Sequence, residues 1–562
     1  MRSIFLFLWI IVGQITFAQS GNEKVFAPNP TLNSRPNILW LVVEDISPYL
    51  PMYGDSTVET PNLSWLASEG VCYDNVFSPA PVCAPARAAI ATGMYPNRIG
   101  ADHMRTGPWF MGNVTPQIMA MAAKNSPEGM IPYEAVPAPE IKMMSEYLRM
   151  AGYYCTNNAK EDYQFRKPET AWDESGPNAH WRNRAEGQPF FAVFNFEVTH
   201  ESQIWAKAKD SLWVPENLHV PVPPYLPDTE VGLKDIRRLY SNIKEMDHQV
   251  GEKLQQLKDG GLLENTVIFW YSDHGGPLPR QKRLLYDSGL KVPMILRFPN
   301  KQFAGQRDDH LISFIDFAPT VLSLAGIQPK EYFDGRAFLG KYRSDEERQY
   351  IFACADRFGP STDNNRAARD KRFKYIKYYH SEKPMFLHVP YRDQMAIMQE
   401  LYRLRDENKL TNIQAQWFRP TKPEEELFDT QADPHEIHDL ANDPAYADKL
   451  KELRQACLQW VEDIDDQNLK PERELIQQIW PNMQQPATQS PVVNLNKNMA
   501  SISCPTSGAS IGYQLLEPGQ EPSGTWQVYK EPIKMDGKKE IAVIAHRIGY
   551  GPSEIIRKHF GN

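Results

Sequence analysis

The chain has 562 residues, 41% hydrophobic and 23% charged, ordinary proportions for a folded protein. That length is too great for one small core and calls for a large domain with smaller companions. The net charge of −9 argues against a generic nucleic-acid or anionic-membrane surface, though not against an anionic substrate held by a few converging cations. At the N-terminus, Arg2 precedes the apolar run Ile4 to Val12, and Thr16 and Ala18 are small residues at the minus-three and minus-one positions of a cut. Residues 1–18 therefore read as a secretory signal peptide, too short to span a bilayer stably. No other segment approaches a continuous apolar span of about 20 residues, so the expectation is a secreted or periplasmic protein without membrane insertion.

Ile38 to Val43 is an unbroken apolar run suited to a strand buried on both faces. Thr60 and Pro61 then read as the cap and first position of a helix through Ala67. Glu140 to Met150 has helical apolar spacing, and Phe190 to Phe196 is a further buried strand. A long helix is expected over Leu233 to Leu257, stopped by Gly260-Gly261, followed by strands at Thr266 to Tyr271 and Val292 to Phe298. This alternation predicts an α/β domain over residues 19–345, with its ligand site at the carboxyl ends of the strands.

Beyond residue 345 the texture changes. Lys371 to Tyr379 interleaves cations with aromatics, as in a strand with one packed face and one solvated cationic face. Asp443-Pro444 opens a helix to about Asp465, so 346–480 reads as a second subdomain. The Gln-, Asn- and Pro-rich stretch at 481–499 reads as a linker, and 500–562 as a small β module packing on the large domain. Six scattered cysteines in an exported chain allow disulfides without the spacing of a disulfide scaffold.

Several polar residues fall where strands end. Glu44 and Asp45 follow the first strand; Asp273 and His274 follow the strand at 266–271. These four suit a hard divalent cation such as calcium, although a histidine ligand fits zinc better, and the spacing alone equally allows separate capping residues. Cys83-Ala84-Pro85-Ala86-Arg87 forms C-x-P-x-R, with Arg87 one helical turn after Cys83. Lys160, His200 and Lys282 also follow core strands, and His103 and Arg105 lie just beyond the Cys83 segment.

In this order, residues 36–465 resemble the formylglycine-dependent sulfatases of the alkaline phosphatase superfamily. The resemblance rests on Pro36-Asn37-Ile38 through Glu44-Asp45, on Thr60-Pro61-Asn62-Leu63, and on the Cys83 signature with Thr92-Gly93 and Tyr95-Pro96. It continues through Ser272-Asp273-His274-Gly275, Tyr286-Asp287-Ser288-Gly289, and Glu426-Leu427-Phe428-Asp429 with Asp433-Pro434. It implies a large alkaline-phosphatase-like central sheet sandwiched by helices, with a smaller α+β C-terminal subdomain. It also implies oxidation of Cys83 to formylglycine by a formylglycine-generating or anaerobic sulfatase-maturing enzyme. Calcium would be held by Glu44, Asp45, Asp273 and His274.

The implied reaction hydrolyses sulfate esters or N-sulfates of a sulfated carbohydrate through a covalent sulfo-enzyme. Arg87 would hold the modified residue, His200 would protonate the leaving group, Lys282 would lie beside the sulfate, Lys160 would assist release, and His103 and Arg105 would bind the sugar. Details lean toward enzymes of sulfated glycans, including the N-sulfoglucosamine type. Asp162 stands where this family often has histidine. The alternatives are a phosphonate monoester or phosphodiester hydrolase of the same superfamily, or a glycan-binding relative that is never matured.

Overall fold

The computed structural model describes residues 29–32, 35–107, 116, 120, 126–535 and 540–559; the expected signal peptide at 1–18 lies outside them. The first apolar run forms β1 (Asn37–Val43), with every residue buried. The remaining strands of its sheet are β2 (Val71–Phe77), β3 (Tyr154–Asn158), β4 (Glu174–Ser175), β5 (Phe190–Phe196), β6 (Thr266–Ser272), β7 (Lys291–Arg297) and β8 (Gln306–Ser313). They lie in the order β4-β3-β5-β1-β6-β7-β2-β8. β1 runs parallel to β5 and β6, and β3 runs parallel to β5. β7 is antiparallel to both of its neighbours.

Side-chain alternation along β1 divides the core into two layers. Leu39, Leu41 and Val43 pack with helix α1 (Pro61–Ser68) and the long helix Glu230–Asp259. Ile38, Trp40 and Val42 face helix α2 (Cys83–Thr92) and the helices Met144–Met150 and Phe317–Leu324. The helix expected from Glu140 is thus confined to its last seven residues. Parallel register sets Val43 opposite both Phe196 and Ser272, so β1, β5 and β6 end level on one edge.

The C-terminal subdomain is a four-stranded antiparallel sheet of β9 (Ile351–Arg357), β10 (Thr362–Arg369), β11 (Phe373–Tyr378) and β12 (Glu425–Asp429). Helix Ala447–Asp463 packs on it through Leu450, Leu453 and Cys457. The cationic strand is not uniformly solvated. Lys374 is fully buried and ion-paired with Asp287 at 2.5 Å and Glu436 at 2.7 Å, tying β11 to the large domain.

The expected linker contains a strand. β13 (Val492–Asn496) pairs with β14 (Met499–Ser503), setting Val493 against Ile502. Its polar residues alternate with Val493 and Leu495, a period-two pattern hidden by the Gln/Asn-rich composition. The tail adds β15 (Ser510–Leu516), β16 (Gln527–Val528), β17 (Ile533–Lys534), β18 (Glu540–His546) and β19 (Ile556–His559), and its two small sheets pack on the large domain. Arg149 Nη2 donates to Trp526 O at 2.6 Å and Lys142 Nζ donates to Ser510 Oγ at 2.8 Å. Gly508 has φ +78°, and a Cβ there would lie 2.1 Å from Pro139 O. All six cysteines are unpaired, so the permitted disulfides do not form. Among the described residues no helix is long and apolar enough to cross a membrane.

Candidate active site

Cys83 is the first residue of α2, and its side chain is fully buried. Pro85 lies in the first turn, where its missing N–H removes no helical hydrogen bond. The run of alanines lets the whole helix sink into the core, and Gly93 closes it with φ +68°. Arg87, one turn on, projects to the same end of the sheet. Its Nη1 donates to Asn195 Oδ1 at 2.7 Å, its Nε donates to Asp273 Oδ2 at 3.2 Å, and Nη2 lies 3.3 Å from Glu44 Oε1.

The level ends of β1 and β6 bring three fully buried carboxylates together: Glu44, Asp45 and Asp273. Asp45 adopts φ 54°, a left-handed conformation that a non-glycine residue keeps only where its surroundings enforce it. Its Oδ2 accepts from Glu201 N and Lys282 Nζ, both at 2.7 Å. Its Oδ1 lies 2.9 Å from His274 Nε2, which also lies 3.7 Å from Asp273 Oδ1, yet neither Asp45 Oδ1 nor His274 Nε2 makes an aligned hydrogen bond. Ligand atoms of Asp45, Asp273 and His274 lie within 4.8 Å of one another, and so do those of Glu44, Asp45 and His200.

Burial alone would push His274 down, but Asp273 and Asp45 overcome it and raise the imidazole to about 10. Asp45 Oδ1 and His274 Nε2, which lack hydrogen bonds, and the oxygen-rich donor set fit a hard divalent metal.

Cations face the carboxylates. Lys160 Nζ lies 2.7 Å from Glu44 Oε2, and Lys282 Nζ lies 3.1 Å from Glu201 Oε1. Arg105 Nη2 approaches Cys83 Sγ at 3.5 Å, and its side chain remains 28% exposed. Arg87, Arg105, Lys160 and Lys282 all lie close enough to Cys83 for negative charge there to stabilise theirs. His200 is held neutral in the free site: burial, then Lys282, lower it to about 3, against the pull of Asp45. Its Nδ1 pairs with Ser202 Oγ at 2.8 Å. The arrangement can bind a tetrahedral anion beside Cys83 and a metal on the opposite carboxylates.

Glu44, Asp45, Cys83, Arg87, Arg105, Lys160, His200, Lys282, Asp273 and His274 thus converge. His103 does not join them. Its Nε2 lies 4.0 Å from Glu472 Oε2 in a separate buried polar cluster with Arg357, so it has no sugar-facing position here. Sequence reasoning missed Asn195, Glu201 and Arg283. Asn195 had a readable signal, a lone amide in an otherwise apolar strand. Glu201 holds Arg283 through Oε2 and Nη1 at 2.8 Å and also meets Lys282, a pairing across more than 80 residues that no local pattern marks. Arg283 N donates to Pro81 O at 2.8 Å, fixing that loop beside the Cys83 segment.

Similarity to known proteins extends along most of the chain. The sulfatase family profile matches residues 36–327, and the N-sulphoglucosamine sulphohydrolase C-terminal profile matches residues 280–419. An ulvan-active sulfatase of Formosa agariphila is 51% identical over 94% of this chain and 91% of its own. The human N-sulphoglucosamine sulphohydrolase is 22% identical over 76% of this chain and 90% of its own. A solved structure in complex with D-glucosamine-2-N,6-O-disulfate superposes with a TM-score of 0.54 at 17% identity, covering 78% of this chain and 100% of that one, a likeness of fold alone. With an alkaline-phosphatase-like sheet, a cysteine opening a helix at its carboxyl edge, and these matches along its length, the chain belongs to the sulfatase family and is a sulfuric ester hydrolase.

Proposed function

We propose that this enzyme removes sulfate from a sulfated polysaccharide of the ulvan kind, using formylglycine made from Cys83 and a calcium ion. The observation that carries the reading is the placement of Cys83 among Arg87, Arg105, Lys160 and Lys282, opposite the Glu44–Asp45–Asp273–His274 donors. The likeness to an ulvan-active sulfatase supports the substrate class.

Glu44, Asp45, Asp273 and His274 would hold the calcium, which supplies charge neutralisation for the sulfate oxygens. Formylglycine would supply a hydrated aldehyde as nucleophile. Arg87 orients residue 83 while fixing Glu44 and Asp273. Lys282 and Lys160 place positive charge where the sulfate charge concentrates. Sulfate bound there offsets the cations that help hold His200 neutral, which favours a proton on that ring for the departing sugar oxygen. Lys160 faces the same group for the release step.

Two measurements test the reading: the mass of the peptide spanning Cys83 from protein made in its native host, and sulfate release from ulvan oligosaccharides beside N-sulfated glucosamine and phosphonate monoesters. An unmodified thiol with no sulfate released would overturn it. Preferred turnover of the phosphonate would move the chain to the other hydrolase class.

A further inference from the structure

Beside the site lies a small cavity, with room for a charged substituent rather than a whole sugar ring, lined in part by Arg283, Asp363, Asn365, His388, Arg392 and Trp417. Two side chains link it to the reacting centre. Arg283 forms part of its wall and binds Glu201, the partner of Lys282. Tyr391, next to Arg392 in sequence, packs near the His200 ring with centroids 6.4 Å apart.

Arg392 is 3% exposed, and its guanidinium lies 4.8 Å from the ring centroids of both Phe386 and Trp417. Nη2 donates to Leu387 O at 2.8 Å, and Nε has no partner. Burial, reinforced by Arg283, lowers Arg392 to about 10.

The acids around the cavity are already matched. Glu201 pairs with Arg283 and Lys282, Asp356 with Arg366, and Asp363 with Lys422. Asp393 accepts from Tyr402 and pairs with His388. Among the described residues, no carboxylate lies within ion-pair distance of Arg392. A buried guanidinium clamped by aromatic rings and lacking an acid is a costly arrangement unless a ligand completes it.

We infer that this cavity is the anion pocket of a second glycan subsite, in which Arg392 binds an anionic group, a carboxylate or a second sulfate, projecting from the sugar adjoining the one desulfated. Trp417 offers a ring beside the same group, and Asn365, whose buried Oδ1 has no partner, offers an acceptor for a sugar hydroxyl. The inference rests on the sulfated-glycan reading above.

The test uses disaccharides carrying the same sulfate ester, whose neighbouring sugar bears a carboxylate, a sulfate or neither. With matured wild-type enzyme, KM for the better anionic substrate should be about tenfold below that for the neutral one. The two anionic arms identify which group Arg392 takes. Arg392→Gln should collapse that ratio toward one, and Arg392→Lys should restore part of it. Calorimetric binding to the Cys83→Ala protein should show the same preference without turnover.

Equal KM values for all three substrates, with equal binding, would overturn the subsite while leaving the sulfatase reading intact. Absence of sulfate release from every substrate would count against the substrate class, and the binding preference would then decide for or against Arg392. Should Arg392→Gln fail to fold, the wild-type preference alone decides.

Discussion

Asp162 Oδ2 accepts from Arg105 Nη2 at 3.1 Å, and that same nitrogen lies 3.5 Å from Cys83 Sγ. Burial opposes ionisation of Asp162, but Arg105 and then Lys160 hold its carboxyl well below the usual range. So strongly stabilised an anion is a poor proton acceptor at neutral pH. Asp162 is thus placed to orient Arg105 and is ill suited to accept a proton. Asp162→Asn should lower kcat/KM by about 10- to 100-fold through misplacement of Arg105. In a double-mutant cycle with Arg105→Gln the two losses should not add; full additivity of sulfate-release rates would show that the pair does not act as one unit.

If calcium occupies the site as proposed, its removal should be visible without substrate. Chelation leaves Glu44, Asp45 and Asp273 in mutual repulsion. Melting temperature should fall on dialysis against a calcium chelator and recover with calcium. At a hundredfold excess over Kd the recovery corresponds to about 3 kcal/mol. Asp45→Asn should abolish the calcium-dependent shift; a shift of wild-type size in that variant would remove Asp45 from the ligand set.

Lys282 is 2% exposed and joins two carboxylates, Asp45 and Glu201. Lys282→Met leaves both without it in the core, a change expected to cost about 3–5 kcal/mol. Denaturant unfolding of the metal-free protein measures this. A loss below about 1 kcal/mol would mean that Arg283 and His274 suffice to hold the acids.

Asp235, on the long helix, accepts from Ile397 N at 2.7 Å. Burial raises its carboxyl from 3.8 to about 6 despite that bond. The folded state thus holds this proton more tightly than the unfolded chain does. Its contribution is fully present below about pH 3.8 and is lost as pH rises through about 6, a difference on the order of 3 kcal/mol. Asp235→Asn should flatten the fall in stability from about pH 4 to 7. Parallel wild-type and variant curves would assign the slope to other groups.

The local framework was legible because β1, β5 and β6 are apolar runs long enough to be buried on both faces, and Glu44, Asp45, Asp273 and His274 follow them directly. The antiparallel course of β7 was not legible, since a buried strand carries the same composition in either direction. Nor were Glu201 and Arg283: a salt bridge between distant loops leaves no periodic trace. His103 and Arg105 looked equivalent by position, yet the chain takes φ 49° at Arg105 and only Arg105 reaches Cys83.

Every residue of α2 is buried, Cys83 included, and the loop just before it is tied down by Arg283 N donating to Pro81 O. A maturation enzyme that reads Cys83, Pro85 and Arg87 would find all three buried in the folded protein. On the proposed reading, timing follows from this burial: maturation must precede folding, and a molecule that folds first is trapped as an inactive thiol however much maturase it later meets.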